Sequence, residues 1–284
     1  MKRKILLPTD FSKNAWHALV YAQELYKNYA CDFYILNVFS ATSNVIDSLL
    51  NMEPGSELYE TAKLRSESGL AKVLDMLTLS KHTNPKHHFE VVSKFNNPVE
   101  AIKLFVDEKD IEIIVMGTKG ETDSRTKTFG GVAVDVMEKV RNCPVIVVPE
   151  QAKHNVPKEI VFPTDFKTHF KKRELNYLIE LAKNCYASIK VLHVIKEEKL
   201  NELQLNNKKL LEEYFEDIAY SFHALSNIEI SNAINCFIES RDSDMVAFIN
   251  RKHAFFGSIL TNPLVKELGY TSKVPILVMH DLRN

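Results

Sequence analysis

The sequence predicts an α/β protein built from two tandem, doubly wound (Rossmann-like) units, each a parallel sheet of about five strands. Three observations carry that prediction. The chain has 284 residues, its short apolar runs alternate with helix-length segments, and the whole series runs twice. At about 150 residues per domain the length suits two units, and either half is long enough to close its own core.

In the first half the apolar runs are Ile5 to Leu7, Phe33 to Phe39, Phe89 to Val92, Ile111 to Met116 and Val145 to Val148, all of strand length. The first helix is expected after Ser12, a good N-cap residue, and to run to about Tyr29 with Trp16, Leu19, Val20 and Gln23 at helical spacing. A second, longer helix covers Ser56 to Leu79. The third opens on NPVE, where Asn97 can cap, Pro98 suits the first helical position and Glu100 stands three residues on, as in a capping box. The fourth covers Val132 to Arg141. Runs such as IEIIVM are near-continuously apolar, the pattern of a parallel strand covered on both faces by crossover helices.

The second half repeats this order. KILLPTDF from Lys4 returns as EIVFPTDF from Glu159, about 155 residues on. The segment from Tyr21 lines up with that from Tyr177, Ala101 with Ala233, and CPVIVVP from Cys143 with VPILVMH from Val274. A period of that size equals a whole domain and not a solenoid unit, so duplication of a complete fold accounts for it. The units are then residues 1–150 and 151–284, joined through PEQAKHNVPKE, a polar stretch with two prolines.

Apolar residues make up 45% and charged residues 26%, with 8 Gly and 10 Pro, which excludes collagen-like and wholly disordered chains. The 36 Lys and Arg balance 37 Asp and Glu, so no bulk field attracts nucleic acid or an anionic membrane. No apolar run reaches the roughly 18 to 20 residues of a membrane helix. The opening MKRKILLPTD has the basic start of a signal peptide, but Asp10 ends its apolar stretch and no small-residue cleavage site follows, so a cytoplasmic protein is expected. Cys31, Cys143, Cys185 and Cys236 are far apart and without C-x-x-C spacing, the pattern of buried reduced thiols. His82, His87 and His88 have no carboxylate or thiolate at ligand spacing, so no metal is expected there. Neither G-x-S-x-G nor H-E-x-x-H occurs.

Open parallel sheets bind ligands beyond the carboxyl ends of their strands, where the strand order reverses. Asp10 follows the first strand, Val38 ends the second, and Gly117 follows the fourth and begins GTKGETDSRTKTFGG. Glycines 117, 120, 130 and 131 lack the Cβ atoms that would hold a phosphate off the backbone. The last pair precedes a helix whose N-terminal amides favour anions. The same glycines also suit plain turns, and the loop is neither a P-loop nor a G-x-G-x-x-G.

The compound spacing, Gly117, two residues, Gly120, nine residues, Gly130, closely resembles the nucleotide-binding loop of the universal stress protein family. LLPTDFS, VMGTKG, the glycine pair and CPVIVVP stand in the family's order, so the resemblance spans essentially the whole chain in a tandem form. It implies ATP as ligand, with ADP or AMP in its place and Mg²⁺ beside it, and a regulatory stress-response protein with at most slow ATP hydrolysis. Carried over residue by residue, Asp10 contacts the nucleoside, with Pro8 and Thr9 shaping the strand end. Val38 meets the adenine edge, Met116 and Gly117 flank the nucleoside, and Gly120, Gly130, Gly131 and Val132 bring amides to the phosphates. Gly131 departs from the family's usual Ser or Thr, which removes a hydroxyl donor worth about 1 kcal/mol.

The second half keeps Asp165 but has Ile249 and Lys252 where Gly117 and Gly120 stand, and Thr261, Asn262 and Pro263 around the last pair. Nucleotide is therefore expected in the first half alone. The other reading is a nucleotide-free adaptor that works through protein contacts. The last strands of the halves, Val145 to Val148 and Ile276 to Val278, resemble the edges through which family members pair, and so predict a pseudo-two-fold internal dimer. A further homodimer and an unidentified protein partner remain open, the latter at Asn44 to Glu57 or Lys196 to Asn207, where the halves differ most.

Overall fold

The computed structural model describes residues 2–39, 54–80, 84–118, 131–195, 199–250 and 272–280. The chain runs β1 (Arg3–Pro8), α1 (Lys13–Leu25), β2 (Cys31–Phe39), α2 (Glu57–Leu79), β3 (His87–Phe95), α3 (Pro98–Lys109), β4 (Ile113–Gly117), α4 (Gly131–Lys139) and β5 (Val145–Val148). It continues as β6 (Glu159–Pro163), α5 (Lys172–Cys185), β7 (Ser188–Ile195), α6 (Glu202–Tyr214), β8 (Tyr220–Ser226), α7 (Ile230–Arg241), β9 (Met245–Asn250) and β10 (Ile276–His280). These strands form one ten-stranded sheet in the order β3-β2-β1-β4-β5-β10-β9-β6-β7-β8. Neighbours are parallel throughout except β5 with β10. One apolar cluster lies under α1, α2, α5 and α6 and another under α3, α4 and α7, and each runs across both halves.

The predicted pairing of the two last strands is present. Leu277 lies opposite Ile146, flanked by Ile276 opposite Val147 and Val278 opposite Val145. Ile114 N–H donates to Pro144 O, and Val246 N–H donates to Pro275 O in the same way. Ile146 and Leu277 each stand two residues beyond those prolines, so they are equivalent in the repeat and a pseudo-two-fold axis passes between them. Above the seam the hydroxyls of Tyr26 and Tyr177 share a hydrogen bond, and Arg3 Nη2 reaches Glu180 Oε2 at 3.2 Å.

Local signals set most element boundaries. Ser12 Oγ accepts from Ala15 N–H at 3.1 Å and Ser56 Oγ from Tyr59 N–H at 3.2 Å, each occupying an amide that a helix start leaves without a partner. Asn97 caps α3 through Val99 N–H at 3.0 Å, but its own N–H donates to Asn96 Oδ1 at 2.7 Å. The expected capping box with Glu100 therefore does not close. Helix α1 stops at Leu25, short of Tyr29, and a turn from Tyr26 O to Tyr29 N–H follows. The expected polar linker is pinned: Ala152 is buried, His154 lies against His17 with ring centres 4.0 Å apart, and Asn155 Nδ2 donates to Asp244. Cys31, Cys143 and Cys185 are buried free thiols, whereas Cys236 is exposed, contrary to expectation. Burial pushes the Cys31 thiol up to about 11 and that of Cys185 up to about 12, which keeps both inert. No helix of the described residues is long and apolar enough to cross a membrane.

Glu159, at the start of β6, accepts from Arg241 Nε and Nη2 at 2.8 Å each and from Ser243 Oγ at 2.7 Å. Burial raises the pKa of this carboxyl, but the bonds from Arg241 and Ser243 outweigh it and hold the group below its ordinary value. A carboxyl depressed by folding contributes stability above its unfolded pKa and loses it as pH falls through the folded value. Stability should therefore decline below pH of about 4.5. Glu159→Gln should flatten that decline in denaturant titrations across roughly pH 3 to 7.

Candidate functional site

Strand order reverses between β1 and β4: from β1 the chain moves outward to β2 and β3, and from β4 it moves the other way to β5. The carboxyl ends of β1 and β4 therefore form the crevice where sheets of this type take ligands. Leu6 is in register with Ile114, and continuing that register brings Pro8 and Thr9 alongside Met116 and Gly117.

Beyond β1 the chain makes a sharp turn. Thr9 Oγ1 accepts from Phe11 N–H at 3.0 Å and Asp10 Oδ1 from Ser12 N–H at 3.1 Å. Phe11 is left-handed at φ 66°, a conformation costing a non-glycine residue about 1–2 kcal/mol, and the two side-chain bonds offset that cost. Asp10 thus shapes the turn while its side chain is exposed. Asn37 Nδ2 donates to Thr9 O at 2.7 Å and ties the end of β1 to β2, next to half-buried Val38. Asn14 Nδ2 donates to Thr118 Oγ1 at 2.9 Å and ties the start of α1 to the end of β4. Pro8, Thr9, Asp10, Val38, Met116 and Gly117 are thereby gathered at neighbouring strand ends. Asn14, Asn37 and Thr118 were missed by sequence reasoning. For Asn14 and Asn37 the signal was a polar residue in an otherwise apolar face, which burial obliges to find a partner.

Two glycines of the loop differ in kind. A Cβ on Gly117 would sit 2.9 Å from Asn14 O and 3.1 Å from Asn14 Cγ, so packing against α1 already requires this glycine. A Cβ on Gly131 would meet nothing within 4 Å, and Gly131 begins α4 with exposed Val132 beside it. Gly120 and Gly130 lie outside the described residues.

The second half repeats the turn but covers it. Thr164 Oγ1 accepts from Phe166 N–H at 3.1 Å, Asp165 Oδ1 from Lys167 N–H at 2.9 Å, and Phe166 is left-handed at φ 57°. From α6, Gln204 Nε2 donates to Asp165 O at 2.9 Å and Asn207 Nδ2 to Phe166 O at 2.7 Å. Asp165 is only 5% exposed. Ile5 pairs with Ile113 and Ile160 with Met245, so Ile249 does stand where Gly117 stands. The next residue, Asn250, donates through Nδ2 to Met137 O at 3.1 Å, and its carbonyl accepts from Arg141 Nη2 at 2.7 Å. The first half's α4 segment thus closes on this strand end. Lys252, Thr261, Asn262 and Pro263 lie outside the described residues.

Among the described residues no three His, Cys, Asp or Glu side chains gather as metal ligands. His87 Nε2 lies 3.2 Å from Tyr26 O, and its ring packs edge-on to Phe33, so half-buried His87 borders the core. His82 lies outside the described residues.

Comparison with known proteins bears on the family and the fold. The family model described as the universal stress protein family matches residues 1–149, more than half of the chain. Two universal stress proteins of Methanocaldococcus jannaschii are each 28% identical, over 151 and 155 residues, covering 53% and 52% of this chain and 84% and 95% of their own. The crystal structure of a universal stress protein from Archaeoglobus fulgidus matches over 97% of either chain with a TM-score of 0.71 at 19% identity, a likeness of fold that extends through both halves. The chain belongs to the universal stress protein family.

Proposed function

We propose that residues 1–150 and 151–284 are two units of one regulatory protein in which the first alone binds an adenine nucleotide, ATP with Mg²⁺, exchangeable for ADP or AMP. The observation that carries this reading is the difference between two equivalent strand ends. Asp10 is exposed beside a β4 that ends in glycine, whereas Asp165 is buried under α6 beside Ile249. In the first unit a carboxylate at Asp10 accepts from ribose hydroxyls or the adenine amino group, and the backbone at Val38 pairs with the adenine edge. Pro8, Thr9, Met116 and Gly117 frame the nucleoside. Amides at Gly120, Gly130, Gly131 and Val132 receive the phosphates, helped by the positive end of α4. Bound ATP adds a polyanion at these strand ends, and its presence or absence offers a protein partner two different surfaces.

Calorimetric titration of nucleotide-stripped protein with ATP and Mg²⁺ tests this. About one site per chain is expected, and Gly120→Val should abolish binding by placing a side chain in the phosphate loop. Gly131→Ser should tighten binding about fivefold, because it restores one hydroxyl donor worth about 1 kcal/mol where a Cβ meets open space. Absence of binding at millimolar ATP would overturn the reading and leave the nucleotide-free adaptor. That second reading draws on Gly117, which the packing of Asn14 explains without a ligand.

A further inference from the structure

We propose that the second half carries a separate ligand site, a cavity of about 320 Å³ between α6 and the carboxyl ends of β7 and β8, which takes a small aromatic carboxylate or sulfonate. Its size is that of a small-molecule pocket. Its walls are largely aromatic: Phe166 and Phe222 have ring centres 6.0 Å apart inclined at 52°, and His193 lies 5.0 Å from Phe166 at 38°. Ile195, Leu200 and Ala224 complete the apolar lining. Rings held at such angles present faces and edges to a further planar ring.

Among the described residues the charged groups on the wall are cations. Lys199 and Lys208 both line the cavity, and neither forms an ion pair among the described residues. Lys208 Nζ rests 4.6 Å from the centre of the Phe222 ring. An incoming anion therefore meets an ammonium group held over an aromatic ring and with no carboxylate partner among the described residues. His193 Nδ1 donates to Thr164 O at 2.9 Å, since a carbonyl only accepts, which fixes the ring and leaves Nε2 as its remaining polar atom. Apolar walls with two cations that form no ion pair among the described residues select a ligand that is aromatic at one end and anionic at the other.

This cavity is not the second half's copy of the nucleotide crevice. Phe222 packs against the cluster under α1, α2, α5 and α6, whereas Val38 packs against the cluster on the other face. In the first half the corresponding space is filled. Phe39, Tyr59 and Phe95 pack on one another at 5.3 to 5.7 Å, and Ser66 hydrogen-bonds Ser93, the counterpart of Ala224, at 2.7 Å. Gly69 lies so close under Phe11 that a Cβ there would be 2.5 Å from the ring. Helix α2 thus closes down on β2 and β3, while α6 touches β7 and β8 only sparsely.

The test uses the full chain and two dyes, anilinonaphthalenesulfonate and its uncharged relative N-phenylnaphthylamine. The sulfonate should bind one site per chain and be indifferent to saturating ATP. Lys199→Gln with Lys208→Gln should weaken the sulfonate about tenfold and leave the uncharged dye unchanged. Ala224→Trp, which fills the cavity from its exposed edge, should abolish both with the circular dichroism spectrum retained. Unchanged binding in the tryptophan variant, or equal loss of both dyes in the lysine variant, would overturn the proposal. Should the tryptophan variant not fold, nuclear Overhauser effects between the sulfonate and the methyl groups of Ile195 and Leu200 decide the matter in the parent chain, and their absence counts against the site.

Discussion

Ile146→Ala and Leu277→Ala should each lower the free energy of unfolding by about 2–5 kcal/mol, the cost of emptying a fully buried aliphatic position. Both side chains are wholly buried and face each other across the pseudo-two-fold axis. Strand β5 has only four residues, so each lost contact removes a large part of the seam. Because the two residues touch, their losses should not add: the double variant should differ from the sum by about 0.5–3 kcal/mol. Denaturant titrations of the parent, both single variants and the double variant measure this coupling. Single losses below about 1 kcal/mol that add simply would mean the seam is not part of the cooperative core.

Gly117→Ala should cost about 1–3 kcal/mol with no ligand in solution, the range for forcing an extra carbon into a packed interior. The atom it would strike is the backbone oxygen of Asn14, 2.9 Å from the added Cβ. Backbone cannot swing aside as a long side chain does, so α1 must shift, and with it the Asn14 to Thr118 hydrogen bond. Thermal melts of nucleotide-free protein read the effect. A variant as stable as the parent would show that α1 moves freely there and return Gly117 to a purely ligand-binding role. Gly131→Ser, in open space, is expected to leave the melt nearly unmoved while changing affinity, so the two glycines separate packing from binding.

The framework was legible because its signals are local. Apolar runs marked the strands, Ser12, Ser56 and Asn97 marked the helix starts, and the repeat of PTDF aligned the halves closely enough to place Ile249 opposite Gly117. Strand β3 was under-read at residues 89–92 because its sequence is half polar. Its full span, His87–Phe95, follows from pairing in register along the whole of β2, which lies elsewhere in the chain. The same limit applies at the candidate site. Asn37 interrupts FYILNVF visibly, yet its partner is a backbone carbonyl 28 residues away. Gln204 and Asn207 look like ordinary helix-surface residues and instead cover the turn at Asp165. Hydrogen bonds between distant segments leave no periodic trace in the sequence, so the residues that hold the site together were harder to find than those that line it.

The antiparallel seam joins copies that share a polypeptide and need not stay alike. In a dimer of identical chains every substitution arrives twice, once on each side of the axis, and a residue useful in one place must be tolerable in the other. Here Lys4 and Glu159 occupy the same place in the two halves with opposite charge, the first beside Asp110 and the second held by Arg241. Broken symmetry of this kind leaves one copy free to lose the chemistry of its strand ends while still serving as the surface on which the other is built.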